Sequence, residues 1–136
     1  MRLAAALAAA SSAVIAGCGG VKAADLFIVY RTGSTPHARL TLLVNEEGNV
    51  SCNGGPILKL TDAQLVKARA IQEELHDAAD SHLTLAPRAG SVLRYYLREE
   101  SGTVRFSDNS AGQPPVLHQL QLFVVQSAQL VCHLPE

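Results

Sequence analysis

The chain has 136 residues, with 11 basic and 12 acidic side chains and a formal net charge of −1. This near balance, without a basic stripe, argues against nucleic acid as a partner. With no Trp, three Phe and three Tyr, the composition indicates no aromatic platform for stacking bases or sugars. Nearly half of the residues are hydrophobic, which is typical of a folded domain rather than a disordered chain.

The N-terminal segment has the pattern of an export signal. Residues 3–15 contain only Leu, Ala, Ser, Val and Ile, and Arg2 is the one charge before them. This run is too short to span a bilayer, which requires about 20 apolar residues. It ends in Ile15-Ala16-Gly17-Cys18, which resembles the lipobox of bacterial lipoproteins, whose cysteine is lipidated.

The lipobox resemblance implies cleavage before Cys18 and acyl chains on that residue. Two or more chains anchor a protein stably, so we expect it on the extracytoplasmic face of the cell membrane or outer membrane. An ordinary secreted protein cut after Ala23 is the alternative.

The domain plan follows from this cleavage site. We expect residues 1–17 to be the signal peptide, residues 18–25 a short lipidated tether, and residues 26–136 a single domain. Removal of 17 residues from 136 leaves 119, with 10 basic and 12 acidic side chains, because Arg2 is lost. A tether this short predicts that the domain lies close to the lipid surface.

Alternating and β-branched patterns predict three strands in the first half of the domain. They cover residues 26–31, 38–44 and 50–53, and a break at Gly33-Ser34-Thr35-Pro36 separates the first two. The turn at residues 45–49 joins the second and third strands as a hairpin.

The second half adds two helices and a further hairpin. The capping box Thr61-Asp62-Ala63-Gln64 predicts a helix from Asp62 to about Asp77, and a loop follows over residues 80–91. Two strands, 92–99 and 103–107, form the second hairpin, and Pro114-Pro115 opens a helix that runs to about Leu130. The order β-β-β-α-β-β-α predicts an α+β fold, a small antiparallel sheet with two helices packed on one face.

Two cysteines, Cys52 and Cys132, remain after lipidation of the third. In an oxidising extracytoplasmic compartment an even pair indicates a disulfide. Two free buried cysteines or a metal pair are the alternatives, and the absence of a CxxC motif disfavours the metal pair.

The catalytic inventory is short. The sequence has no Gly-x-Ser-x-Gly elbow, no HExxH and no phosphate-binding loop. His76, Asp80 and His82 form one cluster that could bind zinc, although such polar residues are common at helix ends. We expect no catalytic residue, no metal and no cofactor, and predict a non-enzymatic binding domain with a protein partner. The exposed segments 32–37 and 80–90 are the expected contact loops.

The mature chain also resembles the emfourin-type inhibitors of protealysin-like metalloproteases over most of residues 26–127. The resemblance lies in the order of the elements and in a few motifs: Tyr30-Arg31-Thr32-Gly33, Glu47-Gly48, Thr61-Asp62-Ala63-Gln64-Leu65 and Leu93-Arg94-Tyr95-Tyr96. It implies a similar fold and, as one alternative function, a metalloprotease inhibitor displayed at the envelope. The lipid anchor and the cysteine pair depart from the soluble intracellular inhibitors. A metal-dependent hydrolase built on the His76 cluster is the other alternative.

Overall fold

The computed structural model describes residues 24–136, so the predicted signal peptide, Cys18 and most of the predicted tether lie outside the described residues. Within this range the chain forms six strands and two α-helices, the second continued by a π-helical turn. In chain order the elements are β1 (Asp25–Gly33), β2 (Leu40–Asn45), β3 (Asn49–Cys52), β4 (Leu58–Lys59), α1 (Asp62–Asp80), β5 (Leu93–Glu99), β6 (Gly102–Ser107), α2 (Pro115–Gln126) and the π-helical turn Ser127–Val131.

The strands form one sheet in the order β4-β3-β2-β1-β5-β6, and every neighbouring pair is antiparallel. β1 lies in the middle, where it pairs with β2 on one side and β5 on the other. Tyr30 of β1 is therefore opposite Thr41 and opposite Tyr96. This register decides which outward-pointing side chains are neighbours.

One face of the sheet and the two helices enclose the core. Side chains point to alternate faces along a strand, and the inward set is fully apolar in β2, where Leu40, Leu42 and Val44 are buried. Phe27 of β1 meets Phe123 of α2 edge to face, with ring centroids 5.9 Å apart. The predicted α+β fold, with both helices on one face of an antiparallel sheet, is confirmed.

Helix α1 begins where the capping box predicts. The Thr61 hydroxyl accepts a hydrogen bond from the Gln64 amide at 3.2 Å, and the Gln64 side chain accepts one from the Thr61 amide at 2.8 Å. Two amides that the first helical turn leaves unpaired are thereby satisfied. The helix runs to Asp80, three residues beyond the predicted end.

The predicted disulfide is present between Cys52 and Cys132, whose Cα atoms are 6.3 Å apart. It joins β3 to the residue that follows the π-helical turn. The second helix differs from its prediction, since its α-helical part ends at Gln126 and residues 127–131 continue as the π-helical turn. β4 was not predicted, because two residues are too few for an alternating pattern.

None of the helices within residues 24–136 combines the length and the apolar character needed to cross a membrane.

Candidate functional site

The sheet face opposite the helices, here called the outer face, is uncovered in the single chain. The half-buried or exposed side chains of this face on β1, β2, β5 and β6 are Ile28, Tyr30, Thr32, Thr41, Leu43, Arg94, Tyr96, Arg98 and Arg105. Antiparallel sheets commonly expose one polar face to water. This face differs from that pattern because it combines aromatic, aliphatic and guanidinium groups.

A stack of three side chains crosses the middle of the outer face. The register places Tyr30, Tyr96 and Arg105 side by side on β1, β5 and β6. The two tyrosine rings stack with centroids 5.7 Å apart, and the Arg105 guanidinium carbon lies 4.1 Å from the centre of the Tyr96 ring. Strand pairing thus makes neighbours of two aromatic residues that are 66 positions apart in the chain.

A short segment, residues 84–87, stands beside this stack. Thr84 forms a parallel β-bridge with Arg105. The Leu85 amide donates to the Arg105 carbonyl at 2.8 Å, and the Arg105 amide donates to the Leu83 carbonyl at 2.9 Å. The predicted loop over residues 80–91 thus contains a paired stretch that is fixed against the outer strand of the sheet.

The segment and the outer face enclose a groove of about 390 Å³, here called the 84–87 groove. The Leu85, Ala86 and Pro87 side chains provide an apolar wall, and Arg94 and Arg105 contribute the charged groups. Among residues 24–136, the ion pair within 4 Å joins Arg31 and Glu136. No carboxylate in this range therefore lies within 4 Å of the guanidinium nitrogens of Arg94 or Arg105. The groove therefore combines an apolar wall with two positive charges that are not neutralised by close carboxylates.

Arg31 shows the contrasting case of a guanidinium with a full set of partners. Its side chain is 2% exposed and binds both carboxylate oxygens of Glu136, at 2.9 and 3.0 Å. It also donates to the Ala38 carbonyl at 2.9 Å and to the His37 carbonyl at 3.2 Å. A bidentate pair with these further bonds is a structural arrangement that leaves few donors for a ligand.

The phenol of Tyr95 lies close to this ion pair. Burial raises the pKa of Tyr95 above its ordinary value of 10, and the nearby Arg31 guanidinium opposes this shift. Tyr95 is 4% exposed and stacks on Phe106, with ring centroids 4.8 Å apart. It is thus the inward-pointing tyrosine, whereas Tyr30 and Tyr96 point outward.

The histidine cluster does not form a metal site in the described part of the chain. His76, Asp80 and His82 are exposed, and no three His, Cys, Asp or Glu side chains within residues 24–136 are placed to share an ion. The His82 ring nitrogen Nδ1 lies 3.2 Å from the Thr103 hydroxyl.

The other predicted contact segment, residues 32–37, contains the last two residues of β1 and an exposed turn over residues 34–37. It is fixed at its base by a hydrogen bond from the Ser34 amide to the Val92 carbonyl at 3.1 Å. Cys18, the predicted lipidation site, lies outside the described residues.

A wider depression of about 780 Å³ lies between α1 and the start of β1. Its rim carries both acidic and basic side chains, including Glu73, Glu74, Asp77 and Arg69. One of these charges is already engaged, since Arg69 donates to the Glu46 carbonyl at 2.7 Å. This mixture of charges selects no class of ligand, and so the 84–87 groove is the stronger candidate.

Comparison of the chain with families of proteins, with curated proteins and with solved structures gives no match.

Proposed function

We propose that the chain is a bacterial lipoprotein whose domain binds a partner protein through the outer face and catalyses no reaction. Cys18 carries the lipid, and the domain acts on the extracytoplasmic side of the cell membrane or outer membrane. Two features support this proposal: the lipobox-like sequence Ile15-Ala16-Gly17-Cys18 and the Cys52–Cys132 disulfide, since disulfides are typical of oxidising compartments.

The observation that carries the proposal is the difference between the two faces of the sheet. Helices α1 and α2 cover one face, whereas the outer face presents the stack of Tyr30, Tyr96 and Arg105 beside a groove. Tyrosine and arginine are enriched at the centres of protein interfaces, because they combine a large contact area with hydrogen-bonding groups.

The direction of β1 also favours this surface. The tether would join the domain at Asp25, the first residue of β1. Tyr30 and Thr32 lie five and seven residues further along, which is about 17 and 23 Å at the rise of a β-strand. The groove is therefore well separated from the point of attachment and accessible to a partner.

Site-specific photo-cross-linking in the native envelope tests this proposal. A photoreactive residue at Thr32, exposed on the outer face, should give a discrete cross-linked product. The same residue at His118, exposed on α2, is the matched control and should give none. The absence of a product at Thr32, with or without one at His118, would overturn the proposal.

The inhibitor alternative would use the exposed segment 32–37, from the last two residues of β1 through the turn that follows. Titration against a thermolysin-like protease tests it, and stoichiometric loss of protease activity would favour it over the outer face. The hydrolase alternative is not carried further, because the described structure does not gather His76, Asp80 and His82 into a site.

A further inference from the structure

We infer that the 84–87 groove binds an acidic peptide segment of the partner, with the guanidinium groups of Arg94 and Arg105 receiving its carboxylates. This inference rests on the proposed function and names the chemistry of the partner. It follows from the charge, the shape and the location of the groove.

Arg105 is held in place before a ligand binds. Its guanidinium lies over the Tyr96 ring at 4.1 Å, and Tyr96 in turn stacks on Tyr30. This contact with the ring uses no hydrogen-bond acceptor, so the N–H groups of Arg105 can still donate to a carboxylate. A side chain already held in one position loses less conformational entropy when it binds a carboxylate.

The charges that line the groove are all positive. Arg94 and Arg105 both line it, and no acidic side chain does. Arg98 lies on the same face but lines a separate depression together with Asp25, Glu99 and Glu100. The uncompensated positive charge is therefore confined to the end of the outer face that the 84–87 segment borders.

The groove also has an apolar wall. Leu85, Ala86 and Pro87 line the groove together with the aromatic rings of Tyr30 and Tyr96. A ligand that carried only charge would leave this surface exposed. A peptide with carboxylate and apolar side chains in alternation matches both parts, because an extended chain presents successive side chains on opposite sides.

Two other anionic partners fit less well. A long polyanion such as a nucleic acid needs many positive contacts, whereas the groove offers two and the whole chain is acidic, with a formal charge of −1. Lipid headgroups of the anchoring membrane would lie near Asp25, at the start of β1. Arg94 pairs with Thr32 near the other end of β1, so the groove lies away from these headgroups.

Direct binding of a defined peptide to the full-length mature protein in detergent tests the inference. The probe is a fluorescent peptide in which Glu and Leu alternate, measured by anisotropy, and the matched probe has Gln in place of every Glu. We expect the Glu peptide to bind at least about tenfold more tightly than the Gln peptide, and its affinity to fall as salt rises.

Arginine variants locate the site. Arg94→Gln and Arg105→Gln should each weaken binding of the Glu peptide about fivefold or more. Arg98→Gln is the matched control, on the same face but outside the groove, and should change the affinity less than about twofold. The three side chains are exposed, so the variants should keep the unfolding midpoint of the wild type.

Several results would overturn the inference. These are equal binding of the two peptides, an Arg98→Gln effect as large as that of Arg105→Gln, and tighter binding of polyphosphate or of single-stranded DNA than of the Glu peptide. If Thr32 cross-links in the envelope but the Glu peptide does not bind, the acidic ligand is wrong and the proposed function stands. If Thr32 gives no cross-link, the proposed function fails whatever the peptide does.

Discussion

Arg31 is a charged side chain that the fold buries almost completely. Its charge is balanced by one carboxylate, that of Glu136. Glu136 accepts two of its hydrogen bonds. Removing one partner of a buried pair leaves the other charge uncompensated, which destabilises far more than the pair itself stabilises. The partner is 19% exposed, so water can reach part of the site and moderate the loss.

We therefore expect Glu136→Ala to lower the free energy of unfolding by about 2 kcal/mol in urea denaturation. The control is Glu74→Ala, on the exposed side of α1, which should stay within about 0.5 kcal/mol of wild type. Equal stability of the two variants would show that the ion pair contributes nothing.

Tyr95 gives the domain a pH dependence in the alkaline range. Its pKa is raised by burial, so the folded protein holds the phenolic proton more tightly than the unfolded chain does. The free energy of unfolding is unaffected by this group below its ordinary pKa of about 10, and decreases as the pH rises above that value.

Tyr95→Phe should therefore lose less stability between pH 9 and pH 11 than wild type does. Chemical denaturation across this range is the measurement, and a Tyr95→Phe variant with the wild-type slope would contradict the expectation.

Individual residues differ in how far the sequence predicts their roles. The disulfide between Cys52 and Cys132 was predicted correctly. With Cys18 assigned to the lipid, each of these two cysteines has only the other as a partner. The burial of Arg31 had no local signal, since its carboxylate partner is 105 residues away. The stack of Tyr30 on Tyr96 was likewise hidden, because it depends on the register of β1 against β5.

At the scale of elements, the disulfide joins two parts that are far apart in the chain. Cys52 in β3 and Cys132 after the π-helical turn are separated by 80 residues. On the chain-entropy account, closing a loop of this length stabilises the folded state by up to about 4 kcal/mol.

Replacement of both Cys52 and Cys132 by Ser should lower the free energy of unfolding by up to about 4 kcal/mol. Wild type should show the same loss when a reductant is added, whereas the double variant should not respond to the reductant. Amide hydrogen exchange should accelerate most in residues 127–136. Unchanged stability of reduced wild type would contradict this account.

The strength of local signals explains which elements were predicted. α1 combined a capping box with a long periodic stripe, and its first residue was predicted correctly. The change from α-helix to π-helical turn after Gln126 has no such signal, because the apolar pattern continues across it. The bridge of Thr84 to Arg105 is a single pairing without periodicity, so the wall of the 84–87 groove was predicted only as a loop.

At the scale of the whole molecule, the proposed protein has a lipid anchor and a domain whose outer face is uncovered. The anchor is tested by Cys18→Ala. We expect this variant to leave the detergent phase, or to accumulate as a precursor that keeps residues 1–17. Mass spectrometry should find acyl chains on Cys18 of the wild type.

The control for this experiment is the double Ser variant of Cys52 and Cys132, which lacks the disulfide but keeps Cys18. It should stay in the detergent phase. A Cys18→Ala variant that remains there, together with an unmodified Cys18 in wild type, would contradict the anchor.

Hydroxyl-radical footprinting tests most directly whether the outer face is the binding surface. The purified protein and the protein in its native envelope are oxidised in parallel. Mass spectrometry then measures the extent of oxidation of each tyrosine and of His118. Tyr30 and Tyr96 report on the outer face, Tyr95 is a buried internal reference, and His118 reports on the helical side. We expect the envelope to protect Tyr30 and Tyr96 at least about threefold while His118 stays equally reactive. Equal oxidation of Tyr30 and Tyr96 in both samples, or protection of His118 alone, would contradict the account.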